Sequence, residues 1–223
     1  MKRLMIIKDK KRIKDTEYMG TDYSMVKIID PIKSIGNSAF QDCKELEAII
    51  IPDTATDIGE AAFCGCEKLK TIILPSKLKN IRLNTFRNCK SLETIVIPEG
   101  VKYISDFAFC GCENLKNIIL PDSVEMLCQG AFYYCAELEK IIIPKKVSYI
   151  GEYTFDRCAK LKQIYYKGTK KEFLKLDLGL TTMSDDVTVI CRPVLEEMIN
   201  EGYTIFEANK IIKDYEKEVS YDE

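Results

Sequence analysis

Residues 35–57, IGNSAFQDCKELEAIIIPDTATD, set a pattern that returns at Ile58, Ile81, Ile104, Leu127 and Ile150, each time 23 residues on and without insertion or deletion. Self-similarity at a fixed period of roughly 20 to 50 residues constrains a chain severely, because no unit of that size buries its own apolar face. The units must stack and share one continuous core, so that each becomes a rung of an elongated solenoid. A chain of 223 residues could form two small domains. The uninterrupted array from Ile35 to Tyr166 argues for a single body instead.

The columns of the repeat say which way each residue faces. One holds Phe40, Phe63, Phe86, Phe109, Phe132 and Phe155; the next Cys43, Cys66, Cys89, Cys112, Cys135 and Cys158; the third Leu46, Leu69, Leu92, Leu115, Leu138 and Leu161. Ile49, Ile72, Ile95, Ile118, Ile141 and Ile164 follow, each with an apolar residue two positions later. Pro52, Pro75, Pro98, Pro121 and Pro144 then close the strand, since Pro has no amide to continue a ladder. The pattern L-x-x-I-x-I-P predicts one short strand per rung, and the Ala-Phe dipeptide predicts a tight helical turn on the return path.

Strand side chains alternate, so the residues between the two buried apolar positions must face outward. They are Ile50, Ile73, Val96, Ile119, Ile142 and Tyr165, an apolar stripe beside Ala48, Thr71, Thr94, Asn117, Lys140 and Gln163. A contiguous apolar surface usually marks an interaction site. The bland alternative is that branched residues simply suit strands. A third possibility is that helices in the tail fold back over the stripe.

Residues 1–34 read as an N-terminal cap, with a strand at Leu4 to Ile7, the charged run KDKKRIKD, and a half-repeat carrying Val26, Ile28 and Ile32. Residues 35–191 read as six repeats and a C-terminal cap. In that cap Thr169 and Glu172 form a capping-box pattern opening a short helix through Phe173, Leu174 and Leu176, and Val187 to Cys191 forms a last strand after a loop near 179–186. Residues 192–223 read as a helical hairpin. Its first helix starts at Pro193 with Val194, Leu195, Met198 and Ile199 on one side and ends at Gly202. Its second opens with Thr204 and Glu207 and places Ile205, Ala208, Ile212, Tyr215 and Val219 on one face. The fold class expected is α/β: a solenoid of mostly short parallel strands with short helical turns and a helical C-terminal extension.

Charge alternates between rungs as Glu47, Lys70, Glu93, Lys116, Glu139, Lys162, and in the opposite phase as Lys44, Glu67, Lys90, Glu113. Cross-rung pairs that hold the stacking register account for this. A net charge of -2 with interspersed signs predicts no nucleic-acid or anionic-membrane footprint. No apolar run reaches the roughly 18 residues of a membrane span. The start, MKRLMIIKDK, has an apolar stretch far shorter than the about 7 to 15 residues of a secretory signal, so a cytoplasmic location is expected.

The chain has no histidine, which removes the usual general base and the commonest metal ligand. No phosphate-binding loop or spaced carboxylate pair stands out, so no catalytic residue, cofactor or metal is expected. Six of the ten cysteines share the column that should point inward, where Cys acts as a small buried hydrophobe. Rungs stack about 4.8 Å apart, which leaves a bridge between column neighbours open beside that reading. In the two C-G-C sequences only Cys64 and Cys110 should remain near the surface, too far apart to share an ion.

With these columns in view, the repeat closely resembles the BspA-type leucine-rich repeat family, whose units look like I-G-x-x-A-F-x-x-C-x-x-L-x-x-I-x-I-P. IGNSAFQDCKELEAIIIP at 35–52 and IGEAAFCGCEKLKTIILP at 58–75 match nearly position for position, and IYYKGTKKEF at 164–173 resembles the family's terminal unit. The resemblance implies a right-handed solenoid with a protein-binding surface; many relatives are microbial surface or secreted molecules. The expectation is a non-enzymatic module that offers its strand face to a protein partner. The alternatives are a self-assembling structural protein, dimerised through tail helices or strand face, and a surface adhesin whose leader precedes Met1.

Overall fold

The computed structural model describes residues 3–179, 187–193 and 205–219. The rungs run parallel and in register. One ladder, on the wall that carries the stripe, is built from β1 (Leu4–Ile7), β2 (Met25–Ile28), β4 (Ala48–Ile50), β6 (Thr71–Ile72), β8 (Thr94–Val96), β10 (Asn117–Ile119), β12 (Lys140–Ile143), β14 (Gln163–Tyr166) and β16 (Thr188–Cys191). It forms in three hydrogen-bonded runs, β1-β2-β4-β6, β8 with β10, and β12-β14-β16. Equivalent residues lie side by side, as in Asn117 beside Thr94 and Tyr165 beside Ile142.

The repeat also makes a second ladder, which the one-strand reading of the unit did not anticipate. Its members are β3 (Ser34–Ile35), β5 (Asp57–Ile58), β7 (Asn80–Ile81), β9 (Tyr103–Ile104), β11 (Met126–Leu127), β13 (Tyr149–Ile150) and β15 (Asp177–Leu178). Each strand has two residues, too few to display an alternation, and in each of the first six the second residue is buried.

Between the ladders the return path is a chain of hydrogen-bonded turns rather than a helix. Amide-to-carbonyl bonds span three residues at Ala62 to Gly59, Cys64 to Ala61, Cys66 to Phe63 and Leu69 to Cys66. Left-handed residues break each incipient helix. They fall in two columns, Ser38, Ala61, Asn84, Phe107, Gly130 and Tyr153, then Asp42, Gly65, Asn88, Gly111, Tyr134 and Arg157.

The interior is ordered by the aromatic column. Phe40, Phe63, Phe86, Phe109, Phe132 and Phe155 are fully buried, with neighbouring rings stacked at centroid distances of 5.4 to 5.8 Å, and Tyr18 of the N-terminal cap extends the stack onto Phe40. The cysteine column is buried too, and its thiols are more than apolar filler. Cys66, Cys89, Cys112, Cys135 and Cys158 each donate Sγ–H to the Phe carbonyl of the preceding rung at 3.1 to 3.2 Å. Those carbonyls already accept the Cys amide of their own rung, so the thiol serves the second lone pair. All cysteines among the described residues are free thiols.

Charge pairs cross the rungs on the surface, including Lys44 to Glu67, Lys90 to Glu67, Lys68 to Glu45 and Lys160 to Glu137. At the far end Thr169 caps α1 (Lys170–Phe173) through a reciprocal capping box with Glu172. Phe173 and Leu176 pack on the core, while Leu174 stays exposed. A second helix, α2 (Ile205–Val219), follows in the tail. The expected first tail helix after Pro193, the Thr204 cap, and all but the first residue of the loop near 179–186 lie outside the described residues.

Candidate functional site: the outer face of the strand ladder

The candidate surface follows from alternation on the longer strands. Ile49, Ile72, Ile95 and Ile118 point inward and are buried, so their successors point out. Ile73 is 82% exposed, Val96 61% and Ile50 52%, whereas Ile119 is half-buried. Thr71, Thr94, Asn117 and Gln163 line the polar side and are exposed; Lys140 is half-buried, its Nζ 5.8 Å from the Tyr165 ring centroid.

The stripe is not open along its whole length. Ile142 and Tyr165, expected outside, are buried at 2% and 5% exposure. The reason is Tyr215 of α2, whose ring packs against Ile142, Tyr165 and Ile190. The rings of Tyr165 and Tyr215 are tilted by 52° with centroids 6.3 Å apart, and the Tyr215 hydroxyl donates to the Tyr166 carbonyl. Burial pushes the Tyr215 phenol up to about 12, so it remains a proton donor at neutral pH.

At the other end the face continues onto the cap. Leu4, Ile6 and Met25 are exposed in the same register, with Lys27 interrupting the apolar line. The alternation of LMII and MVKI carries their signal. Midway, where β6 and β8 are not joined by a ladder, a hollow of ≈ 420 Å³ opens among Thr71, Ile73, Leu74, Thr94, Val96 and Pro98.

Of the two C-G-C cysteines expected near the surface, Cys64 is half-buried and Cys110, against expectation, is buried. Burial pushes both thiols up. Among the described residues no group of three or more His, Cys, Asp or Glu is placed to hold a metal ion, and no helix is long and apolar enough to cross a membrane.

The sequence pattern described as BspA type Leucine rich repeat region matches residues 11–105 and 79–190, in 6 copies. No curated protein matches the chain. Among solved structures, a leucine rich cell surface protein from Faecalibacterium prausnitzii A2-165 is 32% identical over 70% of this chain and 42% of its own, with a TM-score of 0.62. A leucine-rich repeat protein from Bacteroides ovatus is 26% identical over 75% of this chain and 63% of its own, TM-score 0.46. The T. pallidum leucine-rich repeat protein is 24% identical over 81% and 84%, TM-score 0.43. The chain thus spans less than half the length of the F. prausnitzii protein.

Proposed function

The chain belongs to the BspA-type leucine-rich repeat family, and from that premise we propose that it is a non-enzymatic protein-binding module whose contact surface is the outer face of the strand ladder. The observation that carries this reading is the run Ile50, Ile73, Val96, at equivalent positions of three successive rungs, with Ile73 82% exposed. Exposed aliphatic residues aligned on a rigid wall cost solubility unless something covers them. Thr71, Thr94, Asn117, Lys140 and Gln163 supply the polar rim that interfaces commonly have around an apolar centre.

The test replaces Ile73→Asp together with Val96→Asp. Both are outside the core, so circular dichroism and melting should stay close to wild type, surface substitutions shifting stability by about 0.5 kcal/mol each. Proteins captured by the wild-type chain and identified by mass spectrometry should be lost selectively from the variant. Unchanged capture would remove the strand face from consideration, and loss of the fold would place the stripe in the core.

A second reading, display at the cell surface, is favoured by the description of the F. prausnitzii protein, 32% identical, as a cell surface protein. Biotinylation of intact cells separates it from the cytoplasmic location expected from the N-terminal residues. Light scattering at micromolar concentration tests self-assembly, since a monomer there removes the structural-protein alternative.

A further inference from the structure

The end of the strand face already holds a helix, and the way it is held is informative. Of the side chains described in α2, only Tyr215 is buried, with Ile212 half-buried; Lys210, Ile211, Lys213, Asp214, Glu216 and Lys217 face outward. Among the described side chains, one aromatic residue anchors the helix. Its ring takes three apolar residues from successive rungs, Ile142, Tyr165 and Ile190, and its hydroxyl takes a strand-end carbonyl, that of Tyr166.

Equivalent positions recur four rungs earlier, there without a ladder between β6 and β8. The equivalents of Ile142, Tyr165 and Ile190 are Ile50, Ile73 and Val96, and the equivalent of Tyr166 is Leu74. At the covered end, strand-end carbonyls receive an amide from the next rung: Lys167 donates to Ile143 at 2.9 Å and Arg192 to Tyr166 at 3.1 Å. In the array that position is proline. Pro98 brings no amide to Leu74, so the Leu74 carbonyl keeps acceptor capacity beside the stripe. The hollow of ≈ 420 Å³ lies at this point, bounded by Ile73, Leu74, Val96 and Pro98.

We propose that Ile50, Ile73 and Val96 form a second helix berth, and that its occupant is an amphipathic α-helix of a partner protein that inserts a tyrosine into the hollow beside the Leu74 carbonyl. This deepens the strand-face reading and rests on it. The occupant class follows from continuity, since the open berth extends the face on which the chain's own helix sits. An apolar helix face laid on a complementary surface is a recurrent recognition mode, and a single aromatic residue often dominates such contacts. The phenol meets both needs of the site, apolar area for the isoleucines and a donor for the carbonyl.

The probe is a capped peptide of residues 205–219, IFEANKIIKDYEKEV, titrated into the full chain by isothermal calorimetry. Saturable binding to one site is expected, weakened at least tenfold by Ile73→Asp in the chain. Tyr215→Phe within the peptide should weaken it about 3- to 10-fold, the worth of one neutral hydrogen bond. Binding undiminished by Ile73→Asp would mean that the peptide displaces α2 from its own berth, which overturns the proposal. Equal affinity of the phenylalanine peptide would overturn the role of the Leu74 carbonyl. Self-association of the chain that the peptide abolishes would make a second copy the occupant and overturn the partner assignment. If the peptide does not bind while Ile73→Asp with Val96→Asp still loses its captured protein, the helix berth falls and the strand face stands; loss of both effects removes the strand-face reading itself.

Discussion

Truncating Phe86 to alanine tests the organisation of the interior most directly. Phe86 is fully buried, and its ring is stacked on Phe63 at 5.6 Å and 3° and on Phe109 at 5.4 Å and 10°. Removing a buried phenylalanine costs about 3 to 5 kcal/mol through lost transfer energy and the cavity left behind. Ring pairs in this range add about 0.5 to 1.5 kcal/mol each beyond the area they bury, which places Phe86→Ala near about 5 kcal/mol. Phe155 supplies the internal control. It is equally buried but, among the described residues, stacks only on Phe132, at 5.8 Å. Phe155→Ala should therefore cost less by about one ring pair, 0.5 to 1.5 kcal/mol. Urea titration followed by far-ultraviolet circular dichroism measures both, and the fluorescence of the 12 tyrosines, in a chain with no tryptophan, gives a second probe. Coincidence of the two transitions matters because repeat arrays can unfold in parts. A loss below about 1 kcal/mol for Phe86→Ala would refute burial of the aromatic column. Equal losses at Phe86 and Phe155 would refute the contribution of stacking.

Two further outcomes follow from the local geometry. Ala61 sits at φ 52°, where an L residue costs about 1 to 2 kcal/mol and glycine does not, so Ala61→Gly should raise the urea midpoint by the equivalent of up to about 1 kcal/mol after the entropic cost of glycine; a lowered midpoint would argue against the left-handed column. The hydrogen bond from Lys145, helped by the Thr169 amide, holds the Glu172 carboxyl down to about 2, below its ordinary 4.5. The stability this lends is fully present above pH 4.5 and is lost as pH falls through about 2, so the acid limb of unfolding should flatten in Glu172→Gln, and an unchanged limb would dissociate that carboxylate from acid sensitivity.

The interior was legible because stacking forces one chemistry on each inward column: phenylalanine, cysteine, leucine and isoleucine repeat with the period, and all four proved buried. What the period could not reveal are features set by backbone rather than side chain. Ser38, Ala61, Asn84, Phe107, Gly130 and Tyr153 share a left-handed conformation and no common chemistry, because the neighbouring rungs impose the turn whatever residue stands there. The second such column was half legible, since Asp42, Gly65, Asn88 and Gly111 are turn formers, but Tyr134 and Arg157 hide it at the end. The thiol bonds escaped notice for a related reason. Burial alone explains a cysteine column, and only the placement of each Sγ against the carbonyl one rung back distinguishes a donor from a small hydrophobe.

Alternation gives the direction of the stripe but not its exposure, and the difference lies in residues far along the chain. Nothing within the fifth and sixth rungs requires Ile142 or Tyr165 to be covered; Tyr215, about 50 residues beyond Tyr165, covers them. Yet the sixth rung does depart from the others where the helix docks. Tyr165 replaces an aliphatic residue, offering ring area to Tyr215, and Tyr166 presents the carbonyl that the Tyr215 hydroxyl takes. Lys167 replaces proline and returns an amide to Ile143. The rung that has left the consensus is the one whose carbonyl the Tyr215 hydroxyl takes. Ile50, Ile73 and Val96 stay bare, and proline in the following rung brings no amide to their strand-end carbonyls. The regularity of Ile50, Ile73 and Val96 with Pro75, Pro98 and Pro121 is thus what leaves a berth there for a helix from another chain.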